Sequence, residues 1–392
     1  MTKIMAINSG SSSLKFKLFE MPNEEVLVEG SVERIGFKDA SFSYKHDGKK
    51  VSKELEILNH EDAVNQLLEV LIDEKMIASY DEISGVGHRI SHGGTYYSDA
   101  TLIDEVVEER IGELSVLSPL HNPVNLIGIR SFKKVLPNTK QVAIFDTSYH
   151  HTIPKKNYMY ALPYEYYEKY DIRRYGFHGP SHQYVAEESA KLNPTGSKTI
   201  TCHIGSGASV SAVLDGKSIN SSMGFTPLAG LVMGTRTGDI DPQIIPFIQD
   251  KEGLSPQEVK DLMNTKSGLL GLSGVSSDYR DVEKAADEGN ERAQLALDVF
   301  AHQVVHYIGA YAADLNGLDT LVFTAGVGEH SARVRTEITN YLSYLGVEID
   351  ETKNQQDELS IESTNSRVKV LVIPTDEEVI IARDVMRVAK LN

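Results

Sequence analysis

The first twenty residues alternate between apolar and polar positions on either side of a run of small residues. The apolar run Ile4-Met5-Ala6-Ile7 leads into Ser9-Gly10-Ser11-Ser12-Ser13, and alternation resumes over residues 14–19. This pattern predicts a strand, a tight turn and a second strand. Because Gly10 has no Cβ, the turn can approach a bound group closely, and its converging amides can bind an anion. Taken alone, the stretch is equally typical of an ordinary glycine- and serine-rich hairpin.

A second copy of this pattern near the middle of the chain favours the anion-binding interpretation. Residues 200–204 form a strand-like segment, Ser206-Gly207 follows, and a further strand-like segment begins at Ala208. The two Ser-Gly pairs lie about half a chain length apart. A weaker similarity pairs residues 142–147 with residues 321–326. The repetition predicts a duplicated α/β unit whose two phosphate-type turns face each other across a cleft.

Periodicity and capping signals define several further elements. Asn59 is a suitable N-cap for a helix with one apolar stripe, formed by Val64, Leu67, Leu68, Leu71 and Ile72. Helices are also expected over residues 255–264 and 291–315, and a strand over residues 368–373. The segment Thr375-Asp376-Glu377-Glu378 predicts the start of a last helix that packs on the first domain. We expect an N-terminal domain of residues 1–148 plus 379–392, and a second domain of residues 149–378.

Composition narrows the class of protein. The chain has 392 residues, 41% hydrophobic and 24% charged, which suits two globular domains. Its formal net charge of −17 disfavours nucleic acid as a partner, which needs a basic surface. One cysteine excludes a disulfide framework and fits a reducing compartment. No apolar run approaches the roughly 18 residues of a membrane span. We therefore expect a soluble cytoplasmic protein with no membrane partner.

The candidate chemistry is phosphoryl transfer. The chain has neither a Walker P-loop nor a dinucleotide fingerprint, and none of its histidine pairs has the H-E-x-x-H form of a zinc hydrolase. Arg89 and Arg236 each have glycines close by in predicted loops, and together they could clamp a phosphoryl group. His178 could donate a further hydrogen bond. Asp146, at a predicted strand end, and Glu377, at a predicted helix start, could hold Mg²⁺ directly or through water. Each residue alone is also typical of an ordinary surface, turn or capping position.

Five motifs give the chain a resemblance to the acetate kinase family, in that family's order and across nearly the whole sequence. They are residues 6–15, AINSGSSSLK; 88–94, HRISHGG; 175–179, YGFHG; 233–236, MGTR; and 323–329, FTAGVGE. The resemblance implies a duplicated ribonuclease-H-like fold, as in actin, Hsp70 and sugar kinases, with two domains around a nucleotide cleft. It also implies a homodimer and a reversible transfer between ATP and acetate that gives acetyl phosphate and ADP. The implied metal is Mg²⁺, with Mn²⁺ as an alternative.

The same resemblance implies roles for individual residues. Arg89 would bind the carboxylate and phosphoryl group, Asp146 would be the catalytic carboxylate, and His178 and Arg236 would stabilise the transition state. The metal-associated positions would be Asn8 and Glu377. The pocket for the acetate methyl would be formed by Ser91, Leu120, Phe177 and Pro227. Nucleotide contacts would come from Lys15 and three loops: His203, Ile204, Gly205, Ser206 and Gly207; Asp278, Tyr279 and Arg280; and Gly326, Val327, Gly328, Glu329 and His330.

Three departures from the family pattern leave alternatives open. Ser91 stands where valine is usual, and because serine is smaller the pocket could admit propionate; one methylene is worth only about 1–3 kcal/mol of discrimination. Ser206 and His330 each stand where asparagine is usual, which affects the expected affinity for the nucleotide and the preference for its base. A nucleotide-driven conformational switch, like actin or Hsp70, is the alternative from another functional class, because fold alone does not decide function.

Overall fold

The N-terminal half of the chain is built on an eight-stranded sheet in the order β5-β4-β3-β2-β1-β6-β8-β7. β1 pairs antiparallel with β2 and parallel with β6, and β6 pairs parallel with β8. The strands are β1 (Thr2–Gly10), β2 (Ser13–Met21), β3 (Glu25–Glu33), β4 (Phe37–His46), β5 (Lys49–Ile57), β6 (Ile83–Ile90), β7 (Thr101–Leu102) and β8 (Lys140–Phe145). The predicted strand, tight turn and strand at the N-terminus are confirmed.

Helices cover this sheet and bury its apolar side chains. They are α1 (His60–Asp73), α2 (Glu105–Glu113), α3 (Asn122–Val135) and the C-terminal helix (Glu377–Val388). The predicted cap of α1 is confirmed, because the Asn59 side chain accepts a hydrogen bond from the Asp62 amide. The predicted apolar stripe of α1 joins the same buried cluster as Leu14 and Phe16.

The computed structural model describes residues 1–391 and divides them into two units. The first unit is Met1–Tyr149 together with the segment from Asp376 onward, and the second is His150–Thr375. No helix among residues 1–391 has the length and apolar character needed to cross a bilayer.

The second unit contains a five-stranded sheet in the order β11-β10-β9-β12-β13. The strands are β9 (Lys198–Ile204), β10 (Ala208–Leu214), β11 (Lys217–Ser221), β12 (Thr320–Thr324) and β13 (Lys369–Val372). The helices are α4 (Lys155–Tyr158), α5 (Tyr164–Tyr170), α6 (Gly179–Leu192), α7 (Ile244–Glu252), α8 (Pro256–Thr265), α9 (Gly268–Ser273), α10 (Tyr279–Asp287), α11 (Glu291–Leu315), α12 (Ala325–His330), α13 (Ala332–Thr339) and α14 (Glu351–Gln355). The long helix α11 contributes ten buried residues to the core of this unit.

The two sheets repeat one topology. In each unit the first strand pairs antiparallel with the second and parallel with a later strand, β6 in the first unit and β12 in the second, so β3-β2-β1-β6-β8 corresponds to β11-β10-β9-β12-β13. A Ser-Gly pair lies at the first hairpin in both units, as the stronger sequence similarity predicts. The weaker similarity, between residues 142–147 and 321–326, paired the wrong strands: β12 corresponds to β6, and β8 corresponds to β13. Short buried apolar strands resemble one another whatever their place in the sheet, which explains the error.

The C-terminal helix belongs to the first unit, together with the acids at its start. Asp376 caps this helix by accepting a hydrogen bond from the Val379 amide. Lys17 Nζ lies 3.0 Å from Asp376 Oδ1 and 3.4 Å from Glu378 Oε2. A Cβ on Gly87 of β6 would lie 2.3 Å from Ile381, so this glycine permits close packing of the helix. The predicted boundary after residue 378 therefore falls too late, because these acids bind first-unit partners.

Candidate active site

In the first unit, Arg89 is held between two carboxylates. Arg89 was predicted to lie in a loop, but it is the penultimate residue of β6. Its Nε and Nη2 donate to Asp146 Oδ1 and Oδ2 at 2.8 and 2.9 Å, and its Nη1 lies 2.8 Å from Glu377 Oε2. β6 and β8 run parallel, so the end of β6 lies beside Asp146, which directly follows β8. Parallel pairing thus accounts for the bidentate contact, as neighbouring strands end at one edge of the sheet.

Burial controls the electrostatics of this triad. It raises the pKa of Glu377, and although Arg89 opposes this shift, Asp146 and Glu378 add to it. For Arg89, burial disfavours the charge, but Asp146 and Glu377 outweigh it and raise the pKa of the guanidinium. Arg89 therefore stays charged at any accessible pH, while Glu377 takes up a proton more readily than an ordinary glutamate.

Of the residues predicted to bind metal, Glu377 is part of this triad, and Asn8 follows Ile7, which pairs with His88 next to Arg89. Asn8 lies on β1 directly opposite Lys15 on β2, and the Lys15 charge is close enough to lower the pKa of Glu377. No group of three or more histidine, cysteine, aspartate or glutamate side chains within residues 1–391 is arranged to hold a metal ion. Two carboxylates and one amide fit Mg²⁺, which keeps several waters and takes further oxygens from substrate phosphates.

Ser91 follows β6 and is anchored by two neighbours that sequence analysis missed. Its amide donates to Asn125 Oδ1 at 3.1 Å, and its hydroxyl accepts from the Ser118 hydroxyl at 3.0 Å. Asn125 Nδ2 also donates to the carbonyl of Ser9 at 3.0 Å, which ties the first Ser-Gly turn to Ser91. Leu120, predicted to line the same pocket, is 67% exposed within the structure.

In the second unit, His178 and Arg236 converge on the second Ser-Gly turn. His178 precedes α6 with a positive φ of 56°, and its ring stacks on His203 at 4.2 Å between ring centres. A Cβ on Gly207 would lie 3.4 Å from His178 Nε2 and 3.9 Å from Arg236 Nη1. Because Gly207 has no side chain, a space remains that His178 and Arg236 both border. Phe177 is fully buried and contributes its carbonyl to His150.

Arg236 has no acidic partner in the part of the chain that the structure describes. Its Nη1 donates to the carbonyl of Pro227 at 3.2 Å and to the sulfur of Met233 at 3.7 Å. Burial lowers the pKa of this guanidinium, and no neighbouring carboxylate offsets the effect. Withdrawing a positive charge from much of the solvent without a counter-ion is costly, and an anionic ligand would relieve that cost.

A cavity of about 560 Å³ in the second unit collects most of the predicted nucleotide contacts. This volume suits a small organic ligand. The lining includes Gly205, Ser206, Asp278, Tyr279, Arg280, Gly326, Val327 and His330, all predicted from the sequence, and also Gly234, Leu269, Ser277, Glu283, Phe300 and Ser331. His203, Ile204, Gly207, Gly328 and Glu329, which were predicted with them, do not line it.

Two of the predicted nucleotide loops are parts of helices. Residues 326–330 lie in α12, and Asp278 caps α10 while its carboxylate pairs with Arg280 at 2.6 Å. The Glu329 side chain accepts from the Thr375 amide at 3.0 Å, so it fastens the segment before the C-terminal helix. Glycine near a short helical turn looks like a loop in sequence, which explains the difference.

Arg335 is a buried residue that sequence analysis missed. Its Nη1 donates to the carbonyls of Gly328 and Glu329 at 2.9 and 2.8 Å, and its other nitrogens bind Asn354 and Asp357. It therefore fixes the end of α12 beside the cavity. An arginine in an amphipathic helix carries no sequence signal for such a role.

Two histidines that lie close to glycines in the sequence, His88 and His182, are parts of regular elements. His88 lies inside β6, where burial lowers its pKa to about 4. His182 lies inside α6, one turn after His178. Both residues are buried within regular elements, because the glycines nearby allow close packing and do not interrupt the elements.

Comparison with known proteins agrees with the motifs and the fold. The sequence pattern of the Acetokinase family matches residues 3–383. The acetate kinases of Geobacillus sp. (strain WCH70) and Bacillus subtilis (strain 168) are 54% and 52% identical to this chain, each over 100% of both sequences.

Solved structures give the same result. The acetate kinase of Porphyromonas gingivalis matches with a TM-score of 0.93 at 42% identity, over 99% of this chain and 100% of that one. The propionate kinase of Francisella tularensis subsp. tularensis SCHU S4 matches with a TM-score of 0.94, also at 42% identity and with the same coverage. The predicted fold class is confirmed. With a family match over nearly the whole chain and full-length relatives above half identity, this chain belongs to the acetokinase family.

Proposed function

We propose that this chain transfers the γ-phosphoryl group of ATP to the carboxylate of acetate, giving acetyl phosphate and ADP, and catalyses the reverse reaction. The observation that carries the proposal is the setting of Arg236, a partly buried guanidinium beside His178 and Gly207 with no carboxylate to neutralise it. Such a group is ready for an anion, and phosphoryl transfer depends on cations and donors placed at the equatorial oxygens.

The chemical step needs no general base. A carboxylate oxygen of acetate attacks the γ-phosphorus in line, a new P–O bond forms, and the bond to the oxygen bridging the β- and γ-phosphorus breaks as ADP leaves. Acetate is already an anion, so no proton has to be removed before attack. Asp146 therefore orients Arg89 through its bidentate contact, and Arg89 supplies the charge that binds the acceptor carboxylate.

Glu377, Asp146 and Asn8 are the residues that would hold Mg²⁺. When bound, this metal neutralises charge on the phosphates. Asp146 and Glu377 would hold Arg89 less tightly if they also bound a metal, because their charge would then be shared between two cations. Burial raises the pKa of Glu377 and so disfavours its charged form, and a cationic partner would offset that cost.

The nucleotide is proposed to occupy the cavity bordered by Gly205, Asp278, Gly326 and His330. Lys15, on the exposed face of β2, is proposed to contact a nucleotide phosphate. We further propose that the protein works as a homodimer in the cytoplasm.

A propionate kinase is the second candidate function, and the surroundings of Ser91 support it as an alternative. Ser91 lies two residues after Arg89, is smaller than the usual valine and carries a hydroxyl bonded to Ser118. One of the similar solved structures is a propionate kinase. Size and polarity at this position thus bear directly on which short acid is preferred.

A hydroxamate assay for acyl phosphate tests the proposal. The chain is incubated with ATP and Mg²⁺ and with acetate, propionate or butyrate, and a sample with EDTA serves as the control. We expect acyl phosphate with acetate at the highest kcat/KM and none with EDTA. ATP hydrolysis without acyl phosphate would instead support a nucleotide switch, and a higher kcat/KM for propionate would support the second candidate.

A further inference from the structure

Four side chains of the second unit form an unbroken hydrogen-bonded chain that ends at His178. His182 Nδ1 lies 2.7 Å from the hydroxyl of Thr201, and His182 Nε2 lies 2.7 Å from the hydroxyl of Ser209. The Ser209 hydroxyl lies a further 2.8 Å from His178 Nδ1. Thr201, His182 and Ser209 are all completely buried. Each link therefore has to be satisfied within the protein.

Thr201, at the far end of the hydrogen-bonded chain, determines which atom donates in each of its hydrogen bonds. Among the residues that the structure describes, the Thr201 hydroxyl has one hydrogen-bonding partner, His182 Nδ1. A buried hydroxyl that cannot donate costs about 1–3 kcal/mol. Thr201 therefore donates to His182 Nδ1. Burial also holds the pKa of His182 well below its usual value, so the ring is neutral and carries its single proton on Nε2.

The remaining two links follow from this one. His182 Nε2–H donates to the Ser209 oxygen, and the Ser209 hydroxyl proton then has His178 Nδ1 as its acceptor. A neutral His178 whose Nδ1 accepts must carry its proton on Nε2. That nitrogen borders the space left by Gly207, on the side where Arg236 also lies. The opposite direction would leave the Thr201 proton without an acceptor.

We propose that Thr201, His182 and Ser209 are positioning residues that hold His178 in the Nε2–H tautomer and aim this N–H at the transferring phosphoryl group. The inference rests on the proposed function in one respect, that His178 contacts that group. The other tautomer would present a lone pair to an anionic oxygen and so remove a transition-state donor. Holding the tautomer in advance avoids that loss at the moment of reaction.

The tautomer can be measured without turnover. In the full-length protein labelled with ¹⁵N-histidine, long-range ¹H–¹⁵N spectra separate protonated from unprotonated ring nitrogens. The His178 signals are assigned among the 13 histidines by their loss in a His178→Asn variant. We expect a protonated Nε2 and an unprotonated Nδ1 for His178 above neutral pH. A proton on Nδ1 alone would overturn the proposal, whatever reaction the protein catalyses.

Kinetic measurements then test whether the hydrogen-bonded chain from Thr201 to His178 affects the chemical step. Ser209→Ala breaks it, and Ser211→Ala is the matched control, because Ser211 is buried on the same strand but bonds Ser218 and Asn220. By comparison with outer partners of metal-bound histidines, we expect Ser209→Ala to lower kcat about 10- to 100-fold with little change in KM. Ser211→Ala should retain kcat near the wild-type value.

Equal kcat values for the two serine variants would overturn the proposal. If Ser209→Ala fails to fold, the wild-type spectrum alone still decides. Failure of the proposed function looks different, because no acyl phosphate would then form in the wild type while the His178 tautomer remained measurable.

Discussion

The two candidate arginines, one in each unit, are held in opposite ways. The Arg89 guanidinium binds two carboxylates of its own unit, Asp146 at 2.8 and 2.9 Å and Glu377 at 2.8 Å. The Arg236 guanidinium binds a carbonyl and a thioether sulfur, and burial lowers its pKa. One positive charge is neutralised in the absence of ligand, whereas the other is not.

The contrast shows what each arginine must do when a ligand binds. Arg236 is already poised for an anion, because binding one removes a desolvation cost and breaks no ion pair. On the proposed function Arg89 would exchange partners, and that exchange would be easier with Asp146 and Glu377 engaged by Mg²⁺. We therefore expect metal binding and acetate binding to be coupled through Arg89, and phosphoryl stabilisation by Arg236 to need no such exchange.

The largest expected effect is that of Arg236→Ala on the rate. By comparison with arginine fingers, we expect kcat to fall by about 10³–10⁵, or roughly 4–7 kcal/mol. Stability should not fall, because the variant removes a partly buried charge without leaving another unpaired. Acyl phosphate formation and urea unfolding measure the two quantities, with Arg236→Lys as the control that keeps a charge. Unchanged turnover in Arg236→Ala would contradict its proposed role.

Arg89→Ala should differ by destabilising the protein. Two carboxylates lose their cation, and breaking a buried pair in this way costs about 3–5 kcal/mol. Arg89 opposes the rise in the Glu377 pKa that burial causes, so without Arg89 this pKa lies still further above its unfolded value, and the loss of stability should grow as pH rises above about 4.5. Urea unfolding at pH 4.5 and pH 8 tests this. An equal loss at both pH values would argue against unpaired carboxylates as the cause.

Ser91→Val tests whether recognition of the acid belongs to the first unit. The added volume and the lost hydroxyl should lower kcat/KM for propionate relative to acetate. The expected change corresponds to about 1–3 kcal/mol of activation free energy. The KM for ATP should stay unchanged, because the proposed nucleotide cavity lies wholly among second-unit residues. Ser91→Thr, which keeps a hydroxyl, separates volume from polarity. A changed KM for ATP with an unchanged acid preference would contradict the assignment.

The raised pKa of Glu377 predicts a metal requirement that depends on pH. A proton competes with Mg²⁺ for this carboxylate, so the apparent dissociation constant of Mg²⁺ should rise by up to about tenfold per pH unit below that pKa. Glu377 is also protonated more readily when folded than when unfolded, so its contribution to stability falls as pH rises through this window. Glu377→Gln should remove the pH dependence of metal affinity. A pH-independent affinity in the wild type would exclude Glu377 as a ligand.

The local elements and the duplication were easier to predict from the sequence than the contacts between the site residues. Alternation on both sides of Ser9-Gly10, repeated at Ser206-Gly207, was enough to predict two related sheets, and capping chemistry located α1 and the C-terminal helix. Contacts were harder to predict because they join distant segments: Arg89, Asp146 and Glu377 come from three separate parts of the chain.

The hydrogen-bonded chain that ends at His178 was also beyond what the sequence could predict. The spacing of His178 and His182 fits a loop as well as a helix, and only the fold places Thr201 and Ser209 beside them. Buried polar side chains leave no periodic signal, because one such residue in an apolar strand barely changes the pattern. The roles of site residues came from motif resemblance, and the geometry then added the reason that each arginine is held as it is.

The measurement that tests the central claim most directly is a double-mutant cycle on Arg89 and Arg236, read as kcat/KM for acetyl phosphate formation. If both arginines serve one phosphoryl transfer, the Arg89→Ala/Arg236→Ala variant should lose little more than the worse single variant, because residues that act as a unit are strongly non-additive. A double variant whose loss equals the product of the two single losses would show that the arginines act independently and would contradict the account.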